Sequence, residues 1–144
     1  MTNMWLAAGG MLSAIAALLH LGCIVGGPSW YRFFGAGESM ARMAERRSAE
    51  PVIITLGIAA ILAGWAAYAF SGAGLIIRLP FLRKGLVVIC AIYRARGAAL
   101  PLMLRYWPGG VSATFLWVSS AVVQVLGVVY LIGVVSGWED LSTK

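Results

Sequence analysis

Charge is what this sequence has least of. Asp, Glu, Lys and Arg together make up 11% of the chain, against about 25% in an average soluble domain. Eleven basic and five acidic side chains cannot coat a soluble domain of 15.3 kDa. A soluble globular enzyme and a charge-rich disordered tail are therefore excluded. Cysteine is scarce too. Cys23 and Cys90 are the only two, and neither sits in a CxxC pair, which excludes a disulfide scaffold and the zinc and thioredoxin motifs. The single histidine, His20, supplies one ligand where a metal or haem needs several. No GxGxxG is completed, and no acidic pair or activated nucleophile stands at a recognisable spacing. No catalytic residue, metal or cofactor is assigned on this basis. The net charge of +6 does not gather into a basic stripe, so no nucleic-acid partner is expected.

What the chain has instead is apolar length. Apolar residues make up 61% of it, with a mean hydropathy of +0.89. Four continuous runs emerge, at about 4–25, 51–70, 85–104 and 111–135. Each is long enough to cross a hydrocarbon core of about 30 Å at about 1.5 Å per residue. None alternates with period two, so membrane strands are not expected. The predicted fold is all-α: a single transmembrane domain over 1–144, with four helices in a bundle and an interfacial loop or short helix between the first two. Met1 to Trp5 has no basic residue, so the first run reads as a retained span and not a signal peptide. Ser48 and Pro51 would open the second run.

Four crossings put both termini on one side, here side A, and the 26–50 and 105–110 loops on side B. Trp30, Tyr31, Tyr106 and Trp107 would form the aromatic belt of side B, and Trp5, Tyr68, Phe70, Phe81 and Trp138 that of side A. The basic residues outside the four runs divide four against five between the sides, so charge leaves the orientation open. Within the long first loop, Ser39 to Arg47 can form a short amphipathic helix with Glu38 and Arg42 as an i,i+4 pair. Trp30, Tyr31 and Arg32 at the start of that loop are candidates for an interfacial seat or a lid over a side-B cavity.

Two arginines break the apolar pattern. Arg94 and Arg96 fall near the midpoint of the third run, at a cost of about 2.5 to 3.5 kcal/mol each. No Asp or Glu lies within any of the four runs. Compensation must come from a loop, lipid, ligand, water or freed backbone. Glu38 is the expected loop partner, and Pro101 frees a carbonyl near Gly97 as a second acceptor. Two residues of helix turn through about 200°, so one arginine would face the bundle and the other snorkel or meet a second subunit. His20, Ser120 and Gln124 complete the candidate ligand-binding set, all biased towards the centre and side B. Cys23 and Cys90 differ in depth by on the order of 19 Å, too far for a disulfide.

His20-Leu21-Gly22-Cys23 through Trp30-Tyr31-Arg32-Phe33-Phe34-Gly35-Ala36-Gly37-Glu38 resembles a family of small bacterial inner-membrane proteins with four predicted spans. Gly72-Ala73-Gly74-Leu75 with Arg78-Leu79-Pro80, and Arg96-Gly97, carry the same likeness. The resemblance implies that architecture and a bacterial inner membrane, but no activity. Three functions fit the reading. One is binding or moving an amphipathic, anionic, lipid-like ligand. Another is serving as an accessory subunit, in a homo-oligomer or a larger membrane complex. The third is a small membrane enzyme using His20 and Glu38. A non-enzymatic binder is the first expectation, with membrane lipid as partner.

Overall fold

The computed structural model describes residues 2–106 and 111–142. Among them the chain is all helical: α1 Met4–Phe33, α2 Glu38–Glu45, α3 Glu50–Gly72, α4 Leu82–Ala98, α5 Leu100–Tyr106 and α6 Ala113–Ser136. α1, α3 and α6 are long and apolar enough to cross a membrane, with mean hydropathies of 1.9, 2.0 and 2.2. α4 and α5 pass the same test only as a pair, bent by 49° at their junction. The sequence leaves open whether the third run, 85–104, is one straight helix; the structure breaks it between α4 and α5. The break falls at Ala99, two residues before Pro101. A proline cannot continue the i→i−4 ladder but suits a first helical turn, which is where Pro101 sits in α5.

The first run is corrected. Its helix does not stop near Val25 but continues to Phe33, interrupted by Gly27 at φ 64° and ψ −149°. That backbone is open to glycine and strained for other residues. Gly27 therefore kinks the helix, and Pro28 becomes the first residue of a resumed helix. Trp30, Tyr31 and Arg32 belong to this helical extension, and the true loop shrinks to the few residues before α2. Tyr31 is not a belt residue at all: it is 2% exposed, and its hydroxyl reaches Pro51 O at 3.3 Å and Thr55 Oγ1 at 3.2 Å. Trp107 lies outside the described residues.

Side-chain caps fix the helix ends. Asn3 Oδ1 accepts from the Leu6 amide at 3.1 Å, and Ser112 Oγ from the Phe115 amide at 3.1 Å. Ser48, expected to cap α3, falls one residue short: the N-cap is Ala49, without a side-chain cap bond, and Ser48 Oγ accepts from the Glu50 amide at 3.3 Å in the preceding turn. Pro51 lies in the first turn of α3 as expected. The short amphipathic helix of the first loop is α2, and its Glu38–Arg42 pair forms at 3.2 Å.

The bundle is two helix pairs, α1 with α3 and α4 with α6, joined along a central seam. At one end Asn3 Nδ2 donates to Gly133 O at 2.8 Å, and Arg78 donates to Asp140 O and Leu141 O at 3.2 and 2.7 Å. The start of α1, the end of α6 and the α3–α4 connector therefore meet. At the other end Gly35 packs directly on the Phe115 ring near the start of α6. The core between them gathers Leu6, Leu86, Ile89, Tyr93, Leu126 and Tyr130. A smaller cluster of Cys23, Tyr31 and Ala41 seats α2.

Candidate functional site

α4 and α6 cross at unusually short range. Gly97 packs directly on the Gln124 side chain. A Cβ on Gly127 would stand 2.8 Å from Arg94 Cδ and 3.2 Å from the Arg94 backbone nitrogen. Cys90 Sγ donates to Gly127 O at 3.5 Å. This contact line sets the two arginines. Arg94 Nη1 donates to Gln124 Oε1 at 3.0 Å. Arg96 Nη1 donates to Ser120 Oγ at 3.1 Å. Ser120 and Gln124 are one helical turn apart on α6.

The expectation that the two arginines part company is therefore corrected. They leave α4 in nearly opposite directions, but the buried face of α4 (Ile89, Cys90, Tyr93, Gly97) runs between them. Each side chain is long enough to wrap its own flank of the crossing and reach α6. Arg94 stays exposed and Arg96 half-buried. Among the described residues neither meets a carboxylate.

The expected counterion is engaged elsewhere. Glu38 accepts from Arg32 Nε at 3.0 Å and Arg32 Nη2 at 2.9 Å, and from Arg42 Nε at 3.2 Å. Arg32 Nη2 also donates to Glu45 at 2.7 Å. The Arg32 hydrogen bonds, with Arg42 second, hold the Glu38 carboxyl down at about 2. This clasp ties the α1 extension to α2 and leaves Glu38 no role at Arg94 or Arg96. His20 is half-buried and satisfies its own helix. Nδ1 donates to Ala16 O at 2.7 Å, so that nitrogen carries the proton. Among the described residues no hydrogen bond joins His20 to Arg94, Arg96, Ser120 or Gln124. The structure thus brings four of the predicted residues together as two pairs. His20 and the Trp30–Tyr31–Arg32–Glu38 group lie outside that cluster.

One polar feature went unforeseen. Ser13 Oγ lies 2.9 Å from both Tyr93 Oη and Tyr130 Oη, and Tyr130 Oη donates to Trp65 O at 3.1 Å. Each hydroxyl owns one proton. Tyr130 gives its proton to Trp65 O, which can only accept. Ser13 must then donate to Tyr130, and Tyr93 to Ser13. The chain runs one way, Tyr93 to Ser13 to Tyr130 to Trp65 O, and joins α4, α1, α6 and α3 at the bundle centre. Tyr93 packs edge-on against Trp65, with ring centroids 4.8 Å apart. The signal available in the sequence was position: both tyrosines sit inside apolar runs, away from the belts where tyrosine usually gathers.

Two open apolar grooves score the flanks of the bundle. One, of about 580 Å³ between α3 and α4, is lined by Ile61, Trp65, Tyr68, Phe81 and Val88 among others. The other, of about 540 Å³ between α1 and α3, is largely alanine-lined. Neither touches Arg94, Arg96, His20, Ser120 or Gln124. Among the described residues no group of three His, Cys, Asp or Glu could hold a metal ion. Compared with protein-family models, curated proteins and solved structures, the chain finds no match.

Proposed function

We propose that this chain is a non-enzymatic integral membrane protein that holds an anionic, lipid-like amphipath at Arg94 and Arg96. The observation that carries the reading is an imbalance. Two intramembrane guanidinium groups cost on the order of 5 to 7 kcal/mol on insertion scales. Their two neutral acceptors, Gln124 and Ser120, return about 0.6 kcal/mol each by the usual worth of interhelical hydrogen bonds. An anionic headgroup beside the exposed Arg94 closes the gap, and the two acceptors then serve as positioning groups. The bacterial inner membrane implied by the sequence resemblance is the proposed setting.

We further propose that α4 and α5 count as one broken span, giving four crossings. Support comes from the bundle ends. α4 starts beside the end that joins Asn3, Gly133, Arg78 and Leu141, where Arg83 stacks on Trp138 at 4.7 Å. α6 starts at the opposite end, beside Gly35. Starts at opposite ends of the bundle support a crossing between them.

The test is lipid retention. Purified protein in mild detergent is analysed by native mass spectrometry for copurified anionic lipid, beside an Arg94→Gln/Arg96→Gln double variant. At least a tenfold loss of retained anionic lipid is expected, with an unchanged helical circular dichroism spectrum. A folded double variant that retains as much lipid as the parent overturns the proposal.

A further inference from the structure

A second cationic feature lies outside the crossing, at the end of α2. Glu38 and Glu45 are the acids of this helix, and Arg32 holds both. Arg42 shares Glu38. Nearly every other described basic side chain has a partner within the protein. Arg78 caps two carbonyls, while Arg83, Lys84 and Arg105 lie over aromatic rings. Arg94 and Arg96 bond α6. Arg46 and Arg47 are the described basic residues whose side chains have no hydrogen bond, ion pair or ring contact, and both are exposed. Glu50, the acid that opens α3, pairs with neither.

The backbone there is equally pointed. The Ser48 amide donates to Met43 O and the Arg47 amide to Ala44 O, each at 3.0 Å, which closes the helix in a Schellman motif. Its left-handed position, ordinarily glycine, is occupied by Arg47 at φ 56°. As a helix stop, arginine is the inferior residue. The same turn sets depth. α3 begins at Glu50, three residues on, so Arg46 and Arg47 stand where a span of apolar length emerges from hydrocarbon.

We propose that Arg46 and Arg47, with the free edge of Arg42, form a headgroup-level site for the phosphate of anionic phospholipid. It is a different site from the one at Arg94 and Arg96. The clasp keeps the acids of α2 off these arginines, and the strained turn presents two adjacent guanidinium groups to the lipid surface. Each basic group near an anionic surface strengthens attachment about fivefold, and the effect is screened by salt.

The experiment uses the full chain in mild detergent, in the Arg94→Gln/Arg96→Gln background, which isolates this site. Short-chain phosphatidylglycerol and phosphatidylcholine are titrated in parallel by native mass spectrometry. In that background, phosphatidylglycerol binds more tightly than phosphatidylcholine, and the preference shrinks in high salt. Adding Arg46→Ala/Arg47→Ala weakens phosphatidylglycerol on the order of twentyfold and leaves phosphatidylcholine unchanged. Arg47→Gly separates charge from turn geometry: it loses about fivefold in phosphatidylglycerol affinity while melting no lower than its parent. The proposal is overturned if Arg47→Gly keeps the full phosphatidylglycerol affinity of its parent, or if the background variant shows no preference. It is also overturned if millimolar inorganic phosphate displaces the lipid fully, which would make the site one for free phosphate.

Discussion

The one-way hydroxyl chain predicts an unequal response to mutation. Tyr93 only donates, so Tyr93→Phe removes one hydrogen bond and leaves Ser13 with an empty lone pair, a cheap loss of about 0.6 kcal/mol. Ser13→Ala removes two bonds, about 1.2 kcal/mol together. It also leaves the Tyr93 hydroxyl proton without an acceptor at a buried site, which adds about 1 kcal/mol. The expected cost is about 2 kcal/mol. In the double variant the orphaned proton is gone, so Tyr93→Phe made on top of Ser13→Ala costs nothing or even stabilises. The coupling energy is then about 0.6 to 1.6 kcal/mol, with the double variant more stable than the sum of the singles. Equilibrium unfolding in mixed detergent and lipid micelles measures all four corners of the cycle. Equal costs for the two single variants, or a coupling near zero, would refute both the direction and the connectivity of the chain.

Three further outcomes follow from other parts of the fold. Gly127→Ala forces a methyl to within 2.8 Å of Arg94 Cδ and 3.2 Å of its backbone nitrogen; a loss of about 1 to 3 kcal/mol is expected, read as a lowered melting temperature. Glu38 binds its proton less readily in the clasp than when unfolded, with a carboxyl at about 2 instead of 4.5. Its contribution to stability is therefore complete above pH 4.5 and disappears as the pH falls towards 2, which a carboxyl-carbon NMR titration of Glu38 should follow; a midpoint near 4.5 would show that the clasp does not form. Cys23 and Cys90 are buried free thiols, so maleimide should label neither until the protein is unfolded, and a disulfide-linked monomer would contradict the helix register.

The sequence makes the apolar lengths legible because hydrophobicity is additive along a run. Pro51 in the first turn of α3, the amphipathic α2 and the Glu38–Arg42 pair are local, and local rules find them. What escapes is anything decided by a neighbouring helix. Gly26-Gly27-Pro28 reads as a loop because glycine and proline end helices in isolation; here they only bend α1, and the buried Tyr31–Thr55 contact holds the extension in place. Glu38 looks available to Arg94 as long as Arg32, six residues before it, is not seen to claim it. The arginines look divergent because helical angle is local, whereas their destination depends on how closely Gly97 and Gly127 bring α6. The hydroxyl chain needs four helices at once, and no single stripe contains it.

The same hydroxyl chain carries a consequence for biogenesis. Ser13 is made early, but its partners Tyr93 and Tyr130 lie 80 and 117 residues downstream. Until they arrive, its hydroxyl can turn back to a carbonyl of its own helix, as serine does inside helices. The α1–α3 pair can thus wait in the bilayer as a finished half, with no unsatisfied group to draw it into a wrong partnership. Docking of the α4–α6 pair then exchanges a local bond for two distant ones. The centre of the bundle therefore cannot close until both halves have been made.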